Sequence, residues 1–227
     1  MTQPYLSSHL FEINDNLSHQ VNSLGPYEYI SIDNFYKRPE DIYDMLKVSW
    51  AHNWKIKKDG RNFKDYYDCR TSIPLENNGF DRDNKTSDFL KSIFSLKNCH
   101  CKSVDMNIFQ WINIPKSSIQ FSPHQDPSFN ILIYLDKINS GGTALYEKMP
   151  KVKVLEEMDI RFDTNEENVK YHVIPSTFNR CVIFNGNIPH GGYIEDHSKY
   201  SNDTWRYNAV YFYDFNWKDV KWLNQKN

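Results

Sequence analysis

Three residues in the second half of this 227-residue chain have the types and spacing to hold a metal ion together: His124, Asp126 and His190. His124 and Asp126 form an H-x-D triplet within Phe-Ser-Pro-His-Gln-Asp-Pro, shortly before the apolar run Ile131 to Leu135. On an extended strand, residues two apart point to the same side, so both donors can aim at one ion from a short segment. His190 ends Phe-Asn-Gly-Asn-Ile-Pro-His, after a second apolar run, Cys181 to Phe184. Two imidazoles and one carboxylate occupy one face of an ion and leave the opposite face open, an arrangement suited to ferrous iron with exchangeable ligands. Further on, Arg206 opens the alternating stretch Arg-Tyr-Asn-Ala-Val-Tyr-Phe-Tyr.

The segments around these residues read as strands. From residue 102 onward the pattern has period 2, with Val104, Met106 and Ile108 alternating with Asp105, Asn107 and Phe109. The stretches 129–135, 143–147, 169–174, 180–185 and 206–214 read the same way, with Gly, Asn and Pro between them. Gly141-Gly142 reads as a turn between two of these strands. In the first half, 1–26 is a loosely packed lead-in and Tyr27 to Asp33 alternates as a strand. Pro39 begins a helix running to about Ala51, with Ile42, Leu46 and Trp50 on one face. Residues 74–85 read as loop, and Ser87 caps a second helix over 88–96. Asp59-Gly60 signals a hairpin turn inside a basic ribbon that contains Lys55, Lys57, Lys58, Arg61 and Lys64. Helices first and strands afterwards predict a mostly β fold backed by helices, not a doubly wound sheet. The expected organisation is a single domain over 1–227, with helices and flanking strands in 1–101, a catalytic core in 102–214 and a tail in 215–227.

Composition narrows the class. Aromatic residues make up 15% and Gly only 8 residues, which excludes a disordered or repetitive chain. A net charge of −2 provides no global field for nucleic acid. Four cysteines, Cys69, Cys99, Cys101 and Cys181, are too few for a disulfide framework in a chain this long, so a reduced, cytoplasmic protein is expected. No apolar run approaches the ~20 residues a spanning helix needs, and the N-terminal stretch lacks a signal-peptide pattern. Cys99-His100-Cys101 has no second ligand pair at zinc spacing. His9, His19, His52, His172 and His197 lie in contexts that suit surface or hydrogen-bonded histidines.

Taken in order, Pro123-His124-Gln125-Asp126, Ile133-Tyr134-Leu135-Asp136, Ser140-Gly141-Gly142-Thr143, Pro189-His190 and Arg206-Tyr207-Asn208-Ala209-Val210-Tyr211-Phe212 resemble the Fe(II)- and 2-oxoglutarate-dependent dioxygenases. Within them the series is most similar to the prolyl-4-hydroxylase-like branch. The resemblance covers about residues 102–214 and implies a double-stranded β-helix, that is, a jelly-roll or cupin-like core. It implies that His124, Asp126 and His190 hold Fe(II), that 2-oxoglutarate chelates the iron, and that Arg206 binds its far carboxylate. A guanidinium suits that task because it makes planar, bidentate, charge-assisted bonds with a carboxylate. Tyr134 matches a position whose hydroxyl assists the same carboxylate, and Asn208 lies on the same strand face as Arg206. Trp111 or Asn113 takes a further cosubstrate-facing position, and Trp111, Lys57 and Arg61 are candidates for substrate contact.

The reaction implied is hydroxylation of an unactivated C–H bond with dioxygen, releasing succinate and carbon dioxide; a prolyl residue of a peptide or protein is one substrate. The carboxylate of Asp126 fills the position that halogenating relatives leave open, which favours hydroxylation. Competing readings are a hydroxylase of a nucleobase or small molecule, a cupin-like metal enzyme that does not use 2-oxoglutarate, and a non-catalytic binding module on the same fold. No membrane partner is expected.

Overall fold

The structure, a computed structural model, describes residues 12–46, 60–62, 66–73, 84–94, 100–111, 119–121, 123–126, 129–150, 153–156, 159–163, 169–201 and 204–214. In chain order these form β1 (His19–Leu24), β2 (Tyr27–Ile32), α1 (Pro39–Met45), β3 (Gly60–Asn62), β4 (Tyr66–Ile73), α2 (Asn84–Phe94) and β5 (His100–Trp111). They continue with β6 (Ile119–Phe121), β7 (Phe129–Tyr134), β8 (Gly141–Tyr146), β9 (Lys153–Glu156), β10 (Asp159–Asp163) and β11 (Tyr171–Pro175). The last strands are β12 (Cys181–Asn185), β13 (His190–Ile194) and β14 (Arg206–Asp214), with a 3-10 turn at His197–Tyr200 between them.

An eight-stranded antiparallel sheet runs β1-β2-β12-β7-β14-β5-β4-β3, and a three-stranded sheet runs β11-β8-β13. A second three-stranded sheet, β6-β10-β9, completes the described strands. Every residue of β7, Phe-Asn-Ile-Leu-Ile-Tyr, is buried, as a short continuous apolar run predicts for a strand covered on both faces. The two faces serve two cores. Ile131 and Ile133 point to a layer that includes Ile42 and Leu46 of the first helical segment and Leu90 and Ile93 of α2. Leu132 and Tyr134 point the other way, into a second core shared with Leu145 and Ile174 of the small sheet. Each fully buried Ile or Leu contributes about 1.5–3 kcal/mol relative to exposure, so the helix-side layer anchors the large sheet firmly. The result is mostly β with supporting helices, as the order of elements predicts, and is compatible with the jelly-roll core that the resemblance implies.

Four local expectations are corrected. His19–Leu24 is not loose lead-in but pairs with Tyr27–Ile32 across Gly25, which sits at a φ of +60°. That positive φ makes the tight turn available to a sequence with weak periodicity. Gly60 is not in a turn: it begins β3 opposite Cys69. The second helix begins at Asn84, so Lys85 is helical and Ser87 is no cap. No Pro or Gly interrupts 84–94, and one extra turn forms before the apolar residues begin. The first helix starts at Pro39 as expected, with Glu40 and Asp41 beside its positive end, while Trp50 lies outside the described residues.

The fourth correction concerns Gly141-Gly142, which are not a turn but the first residues of β8. Their φ values are +142° and +156°. A Cβ on Gly142 would come within 1.9 Å of the Ile174 carbonyl oxygen, so the strand packs closely at a place where only glycine fits.

Candidate functional site

The H-x-D segment is held without being a strand. Prolines at 123 and 127 lack the N–H that a ladder requires, and the segment makes a single antiparallel bridge, His124 to His190. His124 N donates to His190 O and His190 N donates to His124 O, both at 2.9 Å. Asp126 N donates to Gly186 O at 2.8 Å. The tie to the β12–β13 turn, and not strand pairing along the segment, therefore brings the three side chains to one spot. His190 opens β13, where it pairs with Leu145 of β8.

One donor atom from each of His124, Asp126 and His190 lies within 4.8 Å of the others. Asp126 Oδ2 is 3.4 Å from His190 Nε2 and 3.8 Å from His124 Nε2. Donors at right angles around an ion with bonds of about 2.1 Å lie about 3 Å apart, so small side-chain movements suffice to close the set. Exposure is graded: the side chain of His190 is 6% exposed, that of Asp126 23% and that of His124 55%. An ion held here has a buried side and an open side.

The tautomer of His190 fits ligation. Its Nδ1 lies 2.8 Å from Ile188 O, which can only accept, so the proton is on Nδ1 and Nε2 presents a lone pair. Its ring packs edge-on against Phe184, with centroids 5.1 Å apart. Burial by itself would raise the Asp126 carboxyl, but the two adjacent imidazoles and the Asn130 amide hold it below its ordinary range. The donor set of two imidazoles and an anionic carboxylate fits ferrous iron.

A second constellation surrounds Arg206. Arg206 is 7% exposed, and its Nη2 donates to the Gly142 carbonyl at 2.9 Å. Among the described residues no carboxylate lies within salt-bridge distance of it. The Tyr134 hydroxyl is 2.8 Å from Thr143 Oγ1. Burial, offset in part by the Thr143 bond and the Arg206 charge, pushes the phenol to about 12. Asn208 is buried and opposite Tyr134 in the sheet, and its Oδ1 has no hydrogen-bond partner. A buried cation with spare donors beside hydroxyl and amide groups fits a carboxylate ligand. Asp136 feels the Arg206 charge, but its carboxylate is occupied by the Tyr200 hydroxyl and by Ile138 N at 2.9 Å. Burial raises that carboxyl despite those bonds.

The structure thus brings His124, Asp126 and His190 together at one location, and Arg206, Tyr134 and Asn208 at another. Trp111 and Arg61 fall on β5 and β3, but their side chains lie outside the described residues, as do Lys57 and Asn113 altogether. Sequence reasoning missed Asn130, Thr143 and the Gly142 carbonyl. A signal for Asn130 was present: it is the one polar residue in the buried run Phe129–Leu135.

No family model matches the sequence, and no curated protein matches it significantly. Solved structures do share the fold. One is the epimerase SnoN in complex with Fe3+, alpha ketoglutarate and nogalamycin RO, with a TM-score of 0.50, 9% identity, and 82% of this chain aligned to 78% of that one. Another is the non-heme alpha ketoglutarate dependent epimerase SnoN from nogalamycin biosynthesis, with a TM-score of 0.51, 8% identity, and coverage of 82% and 77%. A 2OG-Fe(II) oxygenase family oxidoreductase from Burkholderia pseudomallei aligns at a TM-score of 0.42, 13% identity, and coverage of 78% and 89%. The fold of this chain is therefore one also found in non-heme, 2-oxoglutarate-dependent enzymes.

Proposed function

We propose that the protein is a non-haem Fe(II)- and 2-oxoglutarate-dependent dioxygenase that hydroxylates an unactivated C–H bond. The observation that carries this reading is a pair of chemically matched constellations. His124, Asp126 and His190 converge at one, and the buried guanidinium of Arg206 lies at the other without a described salt-bridge partner. A metal enzyme that dispensed with 2-oxoglutarate would leave that cation with no purpose.

Iron, 2-oxoglutarate and dioxygen together supply the oxidising power, with release of succinate and carbon dioxide and delivery of one oxygen atom to the substrate. The chain's own residues perform the rest. The Ile188 carbonyl fixes the His190 proton on Nδ1 and so keeps Nε2 available. Asp126 contributes the anionic donor and fills a coordination position, which favours hydroxylation over halogenation. Arg206 orients the far carboxylate of 2-oxoglutarate, assisted by Tyr134 and Asn208. Leu132, Leu145, Phe184 and Val210 pack with Tyr134 in one buried cluster and exclude water from it.

The ordered sequence series supports the prolyl-4-hydroxylase-like branch, so a prolyl peptide is the first substrate to try. The shared fold with SnoN, crystallised with nogalamycin RO, supports including small organic molecules in the same panel. A reduced, intracellular setting is consistent with the buried, free Cys181, and no helix among the described residues is long and apolar enough to cross a membrane. The test is succinate formation from 2-oxoglutarate with Fe(II) and oxygen. It should require iron and fall at least ~100-fold in His124→Ala, Asp126→Ala and His190→Ala. Succinate formation unaffected by these changes would overturn the reading.

A further inference from the structure

Asn130 is the second residue of β7, opposite Phe184 of β12, and is 4% exposed. Its Nδ2 lies 2.7 Å from His190 Nε2. Because the Ile188 carbonyl takes the His190 Nδ1 proton, Nε2 is an acceptor and the Asn130 amide is the donor. The same amide also acts on the neighbouring Asp126 carboxyl, favouring its charged form. One buried amide therefore bonds one candidate ligand and favours the anionic form of a second.

A metal ion and the amide compete for one lone pair. An imidazole nitrogen has a single lone pair in the ring plane, and the amide already occupies it. When an ion takes Nε2, the amide must let go of His190, and its remaining acidic partner is Asp126. We propose that Asn130 is a positioning residue of the metal centre: before an ion binds it holds His190 and Asp126 as a matched pair of donors, and afterwards it keeps Asp126 oriented. This inference rests on reading His124, Asp126 and His190 as a metal site.

The physical logic is that of any ligand shell. A carboxylate that must rotate into place after the ion arrives binds less tightly than one already held by a donor. A leucine of similar size at 130 fills the space but donates nothing. An aspartate there carries a charge into the position next to the ion and can coordinate it directly. The two substitutions therefore have opposite effects if the side chain abuts the metal, and similar effects if it merely packs the core.

The experiment titrates the metal-free full chain with Co(II), anaerobically, following the visible d–d bands, for wild type, Asn130→Leu and Asn130→Asp. Thermal melting of each metal-free protein is measured alongside. Asn130→Leu is expected to bind Co(II) 10- to 100-fold more weakly. Asn130→Asp is expected to bind at least as tightly as wild type, with changed band intensities. Asn130→Leu within threefold of wild type overturns the inference while leaving the metal site standing. Equal weakening in both variants, accompanied by equal losses in melting temperature, assigns Asn130 to packing and also overturns it. Wild type that fails to bind Co(II), or binds it equally well as His190→Ala, overturns the metal site and the inference together.

Discussion

Arg206 is hydrogen-bonded to the backbone carbonyl of Gly142 at 2.9 Å, and no acid among the described residues pairs with it. The contact joins the first residue of β14 to a glycine strand start that no side chain could replace. Gly142 serves twice: its missing Cβ allows β8 to approach Ile174 at the start of Ile174-Pro175, and its carbonyl holds one arm of the guanidinium. Among the described residues, the rest of the guanidinium has no carboxylate partner.

Gly142→Ala should accordingly destabilise the fold and disturb the acid pocket at once. The new Cβ would meet Ile174 O at 1.9 Å, in a backbone conformation with a φ of +156°. Strain and overpacking together predict a loss of about 2 kcal/mol or more, read by urea unfolding monitored by circular dichroism. An unchanged midpoint would mean that β8 and β11 separate easily at this point.

Tyr134→Phe keeps the buried ring and removes only the hydroxyl bonded to Thr143 Oγ1 at 2.8 Å. The expected loss of stability is about 1 kcal/mol, which corresponds to roughly 2–4 °C in melting temperature for a chain of this size. Its apparent affinity for 2-oxoglutarate should fall less than tenfold, because a neutral hydroxyl assists a charge pair without replacing it. A loss as large as that of Arg206→Ala would make Tyr134 a principal anchor instead.

His197 sits half-buried in the 3-10 turn, and burial lowers its imidazole below the ordinary value of 6.5 despite the opposing charge of Asp196. Above pH 6.5 the ring is neutral in both folded and unfolded chains, and its full contribution to stability is present. As pH falls through 6.5, the unfolded chain takes up the proton first, so folding weakens with acidification. Between pH 7.5 and 5.5 the melting temperature of His197→Asn should therefore fall less than that of wild type. Equal falls would show that burial of the ring has no bearing on acid sensitivity.

The strands around the site were legible because their apolar patterning is strong. Phe129–Tyr134, Cys181–Asn185 and Arg206–Asp214 form within one residue of where the pattern put them. The donors His124, Asp126 and His190 were legible as residue types at telling spacings, although the reason offered for their convergence was incomplete. Two prolines keep the H-x-D segment from being a strand, and a backbone bridge to His190 does the positioning. What was illegible depends on backbone geometry or on long-range contact. Gly141-Gly142 looks like a turn in any local reading, because only the neighbouring Tyr193 and Ile174 carbonyls reveal the close approach. Strand β1 has no apolar face of its own and forms by pairing with β2. The partnership of Asn130 with His190 spans 60 positions and leaves in the sequence only a lone amide in an apolar run.

The most direct test of the account is optical. Fe(II) and then 2-oxoglutarate are added to the metal-free protein without oxygen, and the visible charge-transfer band of a chelated complex is followed in wild type and Arg206→Ala. The account predicts a band in wild type, and a band in the variant that needs roughly 10- to 100-fold more 2-oxoglutarate, as loss of a charge-assisted bidentate pair implies. Iron binding that never yields a band at any 2-oxoglutarate concentration would contradict it.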